Sequence, residues 1–232
     1  MERQPINYSL IFSKKRRTTA IHVKAQSVSV RAPHGACKRF IDDFVLSKRT
    51  WIETQLLKQS DFTSQVTKPL QDNKVMLFGE WVNIKVSRGK RSQTICEMGA
   101  VELVIAHRVS QVTSKAKDML LAYLSQSLTV YVNERIAYWQ NEMGVTASDV
   151  KVRTYKRRWG SCNQRRELSF NTFLVGAPKW VIDYVIVHEL AHIRHMDHSN
   201  AFWQFVETKY AHKNQAKAWL KENGQKLELR FE

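Results

Sequence analysis

Two histidines and a glutamate stand together in the stretch HELAH, where His188 and His192 are four residues apart and Glu189 follows the first histidine. Residues four apart on a helix project from the same face, so both imidazoles can point at one ion. Glu189 lies about 100° further round the helix, where its carboxylate can reach a water beside that ion without binding the ion itself. This spacing is typical of zinc hydrolases that use the glutamate as general base.

A catalytic zinc ion needs a third protein ligand and an open fourth position. His195 is a poor third ligand, because in a continuous helix its Cα would lie about 10 Å along the axis from that of His188. His198 comes six residues after His192 and can return to the ion if the chain turns near residues 195–197. Enzymes with the HExxHxxGxxH motif have this spacing, with glycine where this chain has His195. The predicted metal ligands are therefore His188, His192 and His198.

Two other interpretations of the cluster remain open at this stage. The histidines could be buried core residues satisfied by hydrogen bonds, although two buried imidazoles and a carboxylate are costly to satisfy in that way. The zinc site could instead be closed and structural, in which case Asp197 or Cys162 would be its fourth ligand.

The elements that must position these residues lie in the second half of the chain. An amphipathic stripe over residues 114–143 predicts a long helix, which Gly144 would end. Residues 150–155 and 167–174 have the pattern of strands. Residues 179 to about 195 are apolar nearly all round, and such a helix is normally buried. The histidines and the glutamate are the exceptions in that helix.

The first half is richer in strands. Alternating apolar residues predict strands and two hairpins, and a 3.6-residue period predicts one helix. The polar residues 59–74 lack a period and predict a loop. The strands are expected over residues 8–12, 20–30, 75–86 and 101–106, and the helix over residues 40–56. We therefore expect an α+β fold with a β-rich domain over residues 1–110, containing one helix, and a catalytic domain over residues 111–232.

The chain is strongly basic, with 37 Lys and Arg against 21 Asp and Glu, a net charge of +16 and a pI near 9.9. Short basic runs occur at residues 14–17, 88–91 and 156–158, and both halves share the excess. Such a surface attracts polyanions, so nucleic acid is an expected partner, but the same charge also fits a merely soluble surface.

Several protein classes are excluded by what the sequence lacks. No apolar run approaches the roughly 18 residues of a membrane span. The N-terminal stretch MERQPINYSLIF does not follow the order of a secretory signal. Cys37, Cys96 and Cys162 are too few and too scattered for a disulfide framework. We therefore expect a cytoplasmic protein with reduced thiols and no membrane association.

The stretch RRWGSCNQRRELSFNTFLVGAPKWVIDYVIVHELAHIRHMDHSNAFW, residues 157–203, resembles the YgjP-like metallopeptidases, which are related to the SprT and WLM zincins. The resemblance implies a zincin-like domain in which the helix over residues 114–143 backs the metal helix. A small antiparallel sheet that includes residues 167–174 would flank the cleft. Carried over by position, His188, His192 and His198 would bind Zn²⁺, and Glu189 would be the base.

Three functions are compatible with these features. The first is a zinc metallopeptidase that acts on a polypeptide. The second is a metal-dependent nucleoside triphosphate pyrophosphohydrolase, for which the cations of residues 156–158 would suit the phosphates. The third is a non-catalytic zinc module that binds nucleic acid. A hydrolase also needs a donor for the charge of the transition state. By chemistry alone the candidates are Tyr155, Arg157, Arg158, Asn171 and His212.

Overall fold

The computed structural model describes residues 6–24, 27–97 and 99–231. The chain forms two compact units, Met1–Gln65 and Val66–Glu232. Each unit contains helices and sheets that mix parallel and antiparallel pairs, so the predicted α+β class is confirmed. No helix in the described ranges is long and apolar enough to cross a membrane.

The first unit is a three-stranded sheet with two helices. Its elements are β1 (Ser9–Ser13), β2 (Ala20–Lys24), β3 (Ser27–Pro33), α1 (Lys38–Ser47) and α2 (Arg49–Gln65). β3 is central, parallel to β1 and antiparallel to β2. The predicted hairpin across residues 24–27 is the β2–β3 pair, and residues 25–26 of its turn lie outside the described residues. A small core joins the sheet to the helices: Val28, Val30, Ala32, Ile41, Val45 and Ile52.

The prediction of a loop over residues 59–74 is wrong for most of that range. Helix α2 continues to Gln65, and a short helix α3 (Pro69–Asp72) follows. The prediction relied on an apolar period, which polar residues such as Lys and Gln do not show even though they favour helix. The prediction of one helix before residue 110 is also wrong, because the helix predicted over residues 40–56 is divided at Lys48 into α1 and α2, and α3 follows.

The second unit begins with a four-stranded sheet. Its strands are β4 (Lys74–Leu77), β5 (Glu80–Gly89), β6 (Gln93–Glu97) and β7 (Ala100–Ala106), in the order β4-β5-β7-β6. The predicted hairpin is the antiparallel β4–β5 pair, whereas β5 and β7 are parallel.

The long helix predicted over residues 114–143 is α4 (Val112–Met143). Buried residues recur along one face of it at intervals of four: Leu120, Leu124, Leu128, Val132 and Ile136. Gly144 follows with a φ of 62°, a left-handed conformation that glycine adopts without steric cost. The predicted helix stop is therefore confirmed.

A second, three-stranded sheet follows α4 and is mixed. Its strands are β8 (Asp149–Arg153), β9 (Gly160–Cys162) and β10 (Glu167–Asn171), in the order β8-β10-β9. β10 is antiparallel to β9 but parallel to β8, whereas the resemblance implied an antiparallel sheet. The loop of residues 154–159 reverses the chain once and the β9–β10 turn reverses it again, so β10 runs in the direction of β8.

The chain ends in three helices, α5 (Lys179–Ala191), α6 (Asn200–Lys209) and α7 (Lys213–Asn223), and a 3-10 turn (Gly224–Leu227). α5 is almost wholly buried, as its apolar sequence predicts, and contacts α4, β9, α6 and α7. It ends at Ala191, earlier than the predicted end near residue 195.

The compact units divide earlier than the boundary that the sequence analysis drew after residue 110. Val75 and Leu103 of the four-stranded sheet belong to the same hydrophobic core as Leu124 of α4 and Ile186 of α5. The change from strands to helices near residue 110 is therefore a change of secondary structure within one core.

Candidate metal centre

The side chains of His188, His192 and His198 converge on one point. His188 lies in the last turn of α5, His192 caps its C-terminus, and His198 returns from the loop before α6. One nitrogen from each ring lies within 4.8 Å of the others, and the Nε2 atoms of His188 and His198 are 3.1 Å apart. Nitrogens that bind one tetrahedral zinc ion at its usual bond length are about 3.3 Å apart. The His188–His198 pair is close to this spacing, and the three histidines could therefore hold a metal ion.

The turn after α5 holds His192 in the tautomer that a ligand needs. Its Nδ1 lies 3.0 Å from the backbone oxygen of His195. A carbonyl oxygen only accepts, so Nδ1 carries the proton and Nε2 has a free lone pair. His195 thus contributes its backbone to the site, while its ring contacts Phe205.

His195 occupies the position of the motif's glycine without adopting a left-handed conformation. In the described ranges, the residues other than glycine with positive φ are Asn73, Phe78 and Arg166. The turn to His198 therefore does not depend on the conformational freedom of glycine.

Two aromatic residues from the first turn of α6 fix the histidine rings. Phe202 stacks on His192 with a centroid distance of 4.6 Å, and Trp203 stacks on His198 at 5.5 Å. Ser199 caps α6 by accepting a hydrogen bond from the backbone nitrogen of Phe202. The helix that follows the loop thus orients the two ligands nearest to that loop.

The surroundings of His188 keep its imidazole neutral. Burial first, and then the neighbouring His192 and His198, lower its pKa to about 3, so the imidazole is neutral, as metal binding requires. Its Nδ1 is buried and has no hydrogen-bond partner among the described residues. Metal-bound histidines usually donate this proton to an acceptor. Here packing against Tyr184 and Phe202 orients the ring instead.

Glu189 is buried beside the histidines, with 6% of its surface exposed. Burial raises its pKa to about 8, and the charge of Arg158 opposes that shift. A dication at the histidines would lower the pKa again. The backbone of Gly160 lies against this carboxyl group, since a Cβ atom there would be 2.5 Å from Oε1 of Glu189. The carboxyl group can therefore occupy this position only because residue 160 is a glycine and has no side chain.

A pocket of about 200 Å³ opens onto these residues, which we call the metal pocket. Its lining residues are Trp159, Gly160, Tyr184, Val185, His188, Glu189 and Leu220. Sequence reasoning missed Tyr184, although it lies four residues before His188 and therefore on the same helical face. It also missed Gly160 and Leu220, which come from other elements and which no local spacing connects to the histidines.

Neither proposed fourth ligand joins the histidine group in the part of the chain that the structure describes. Asp197 accepts a hydrogen bond from the backbone nitrogen of Ser199 at 3.1 Å. Burial first, and then the charge of Glu189, raise the pKa of Cys162 to about 11, so its thiol stays protonated. The group thus offers three side chains that could hold a metal ion, the number of protein ligands in catalytic zinc sites.

The structure separates the candidate transition-state donors. Asn171 uses both amide hydrogens on the backbone oxygens of Tyr155 and Arg158, each at 2.9 Å, so it holds the loop and has no free donor. His212 lies at the start of α7, with Nδ1 3.0 Å from Oε1 of Gln215. Arg158 remains a candidate, because its charge reaches Glu189.

Comparison with known proteins identifies a family. The profile of the family described as "YgjP-like, metallopeptidase domain" matches residues 17–223. No curated protein matches the chain significantly. Among solved structures, the chain is similar to the crystal structure of the metallopeptidase zymogen of Pyrococcus abyssi abylysin. The two are 19% identical, and the match covers 39% of this chain and 93% of that chain with a TM-score of 0.34.

Proposed function

The chain belongs to the YgjP-like metallopeptidase family, and on that premise we propose that it is a zinc-dependent peptidase with Glu189 as general base. One observation carries the proposal. Three imidazole nitrogens lie within 4.8 Å of one another, and the buried carboxyl group of Glu189 lines the same pocket as His188.

We propose zinc because the group consists of three imidazoles and leaves the fourth position open, as catalytic zinc sites do. His188, His192 and His198 would hold the ion. The ion would supply Lewis acidity, which makes a water more acidic and polarises the carbonyl group of the bond to be cut.

The edge of the three-stranded sheet offers a place for the peptide. In the order β8-β10-β9, one side of β9 has no partner among the described strands. Gly160, the first residue of β9, also lines the metal pocket. An extended peptide can add to such an edge through main-chain hydrogen bonds. A peptide in this position would present its backbone to Glu189.

The chemistry that we propose for Glu189 is a proton relay. Its carboxylate takes a proton from a water, and the water oxygen attacks the carbonyl carbon of the peptide. The C–N bond then breaks, and Glu189 passes the proton to the departing nitrogen, which leaves a carboxylic acid and an amine. Burial raises the pKa of Glu189 and a bound dication would lower it, and a general base works best when its pKa lies near the working pH.

The test is the hydrolysis of an unstructured protein and of a panel of nucleoside triphosphates, each with and without a chelator. We expect the protein to be cleaved, the chelator to stop cleavage and added zinc to restore it. Glu189→Gln protein, purified in parallel, controls for contaminating peptidases. Hydrolysis of triphosphates without peptide cleavage would contradict the proposal, and so would zinc binding without any hydrolysis.

A further inference from the structure

A second cleft, of about 270 Å³, opens next to the metal pocket. Its charged lining residues are Lys156, Arg157, Arg158, Lys221 and Glu228, and we call it the basic cleft. Trp159 and Leu220 line both the basic cleft and the metal pocket. One extended ligand can therefore occupy both.

Hydrogen bonds and packing hold the loop of residues 155–159, which carries three of these cations. Asn171, which is 3% exposed, binds the backbone oxygens of Tyr155 and Arg158 at the two ends of the loop. The guanidinium group of Arg158 lies 5.3 Å from the ring centroid of Tyr155. Trp159 packs against Gly224, where a Cβ atom would be 3.1 Å from the indole ring. The cleft is thus a preformed feature of the fold.

The four cations of the basic cleft are exposed and available to a ligand. Among the side chains that the structure describes, no carboxylate lies within 4 Å of Lys156, Arg157, Arg158 or Lys221. Glu228 is the one acid in the lining. Four cations against one carboxylate give the cleft a positive potential, and concave surfaces focus such a potential.

We propose that the basic cleft is a subsite for a carboxylate of the peptide substrate, located beside the scissile bond. The inference rests on the proposed peptidase function. A peptide along the free edge of β9 that extends beyond Gly160 reaches residues 155–159, which form the wall of the cleft. The arginine side chains can bind a carboxylate in a bidentate manner. A carboxylate is the anionic group that an unmodified peptide offers to such a cleft.

The experiment compares pairs of fluorogenic peptides that differ only by Glu or Gln at successive positions on either side of the scissile bond. We expect wild type to cleave one Glu peptide with a kcat/KM about tenfold above that of its Gln partner, the size of one hydrogen bond between charged groups. Peptides with a free or an amidated C-terminus distinguish a side-chain carboxylate from a terminal one. Either source of the carboxylate supports the subsite.

The variant Lys156→Gln/Lys221→Gln should bring the Glu-to-Gln ratio close to one and leave cleavage of the Gln peptide unchanged. That unchanged cleavage also shows that the variant is folded. The matched control is Lys14→Gln/Arg17→Gln, which removes two charges from residues that line neither pocket and should keep the wild-type ratio.

Equal cleavage of Glu and Gln peptides by wild type at every position would overturn the subsite and leave the proposed function standing. No cleavage of any peptide would overturn both. Competitive inhibition by inorganic tripolyphosphate, without discrimination between Glu and Gln, would assign the cleft to phosphates and would also overturn the inference.

Discussion

The metal pocket and the basic cleft share Trp159 and Leu220 but are built in opposite ways. The metal pocket has few polar groups, and burial governs them: it lowers the pKa of His188 to about 3 and raises that of Glu189 to about 8. The basic cleft has four cations, all exposed to solvent.

Because of this difference, the two regions should respond differently to substitution and to salt. Buried groups interact strongly with one another because little water screens them, so one substitution in the metal pocket should have a large effect. Exposed charges are screened and individually weak, so the basic cleft should act through several residues and lose its effect at high salt. The predictions below test the metal pocket first and then a basic run that lies outside both regions.

The largest effect should follow from Glu189→Gln in the metal pocket. The substituted amide cannot accept a proton from water, so peptide cleavage should fall by about 10²–10⁴, the usual contribution of a general base. Zinc content and thermal stability should stay close to wild type, because the side chain is assigned as a base and not as a ligand. If this variant cleaved peptide at a near-normal rate in steady-state kinetics, the assignment of Glu189 as general base would be wrong.

Gly160→Ala should have a smaller effect on the same pocket. The added Cβ atom would lie 2.5 Å from Oε1 of Glu189, so the carboxyl group must move. Misplacement of a reacting group by about 1 Å can cost up to about 10²-fold in rate, and we expect the loss in kcat more than in KM. Ser161→Ala on the same strand is the matched control and should keep its activity. A Gly160→Ala enzyme with wild-type kcat would show that Glu189 does not need this space.

The smallest catalytic effect should come from the basic run of residues 14–17, in the first unit. If this run contributes to the nucleic-acid binding that the net charge of the chain predicts, neutralising it should weaken binding and flatten its salt dependence. Each lost phosphate contact lowers the slope by about 0.9 for duplex and about 0.7 for single strands. Peptide cleavage should not change. Wild type that binds no DNA in a salt titration, even at low salt, would remove nucleic acid from the expected partners.

Local spacing explains why so much of the metal pocket could be predicted from the sequence. The angular separation of His188, Glu189 and His192 on a helix depends only on residue number, so their relation follows from the helix itself. His198 could be predicted because the six residues after His192 are enough for the chain to turn back towards the two other histidines. Tyr184 obeys the same rule and could have been found. Gly160 could not, because its relation to Glu189 depends on how β9 packs against α5.

The fold could be predicted where a buried face gives the sequence an apolar period. It could not be predicted where no such face exists. The buried stripe of α4 and the stop at Gly144 are both visible in the sequence. The polar end of α2 is not, because no periodic apolar face marks it. The pairing of β10 with β8 in parallel, which depends on the path of the loop between β8 and β9, was likewise outside the reach of local patterns.

The most direct test of the account is the zinc content of single histidine variants, measured by elemental analysis after dialysis. We predict about one zinc ion per chain for wild type and for His195→Ala, since residue 195 contributes only its backbone oxygen. His188→Ala, His192→Ala and His198→Ala should each lose most of the metal, and peptide cleavage with it. Full zinc occupancy in His198→Ala would contradict the three-histidine site.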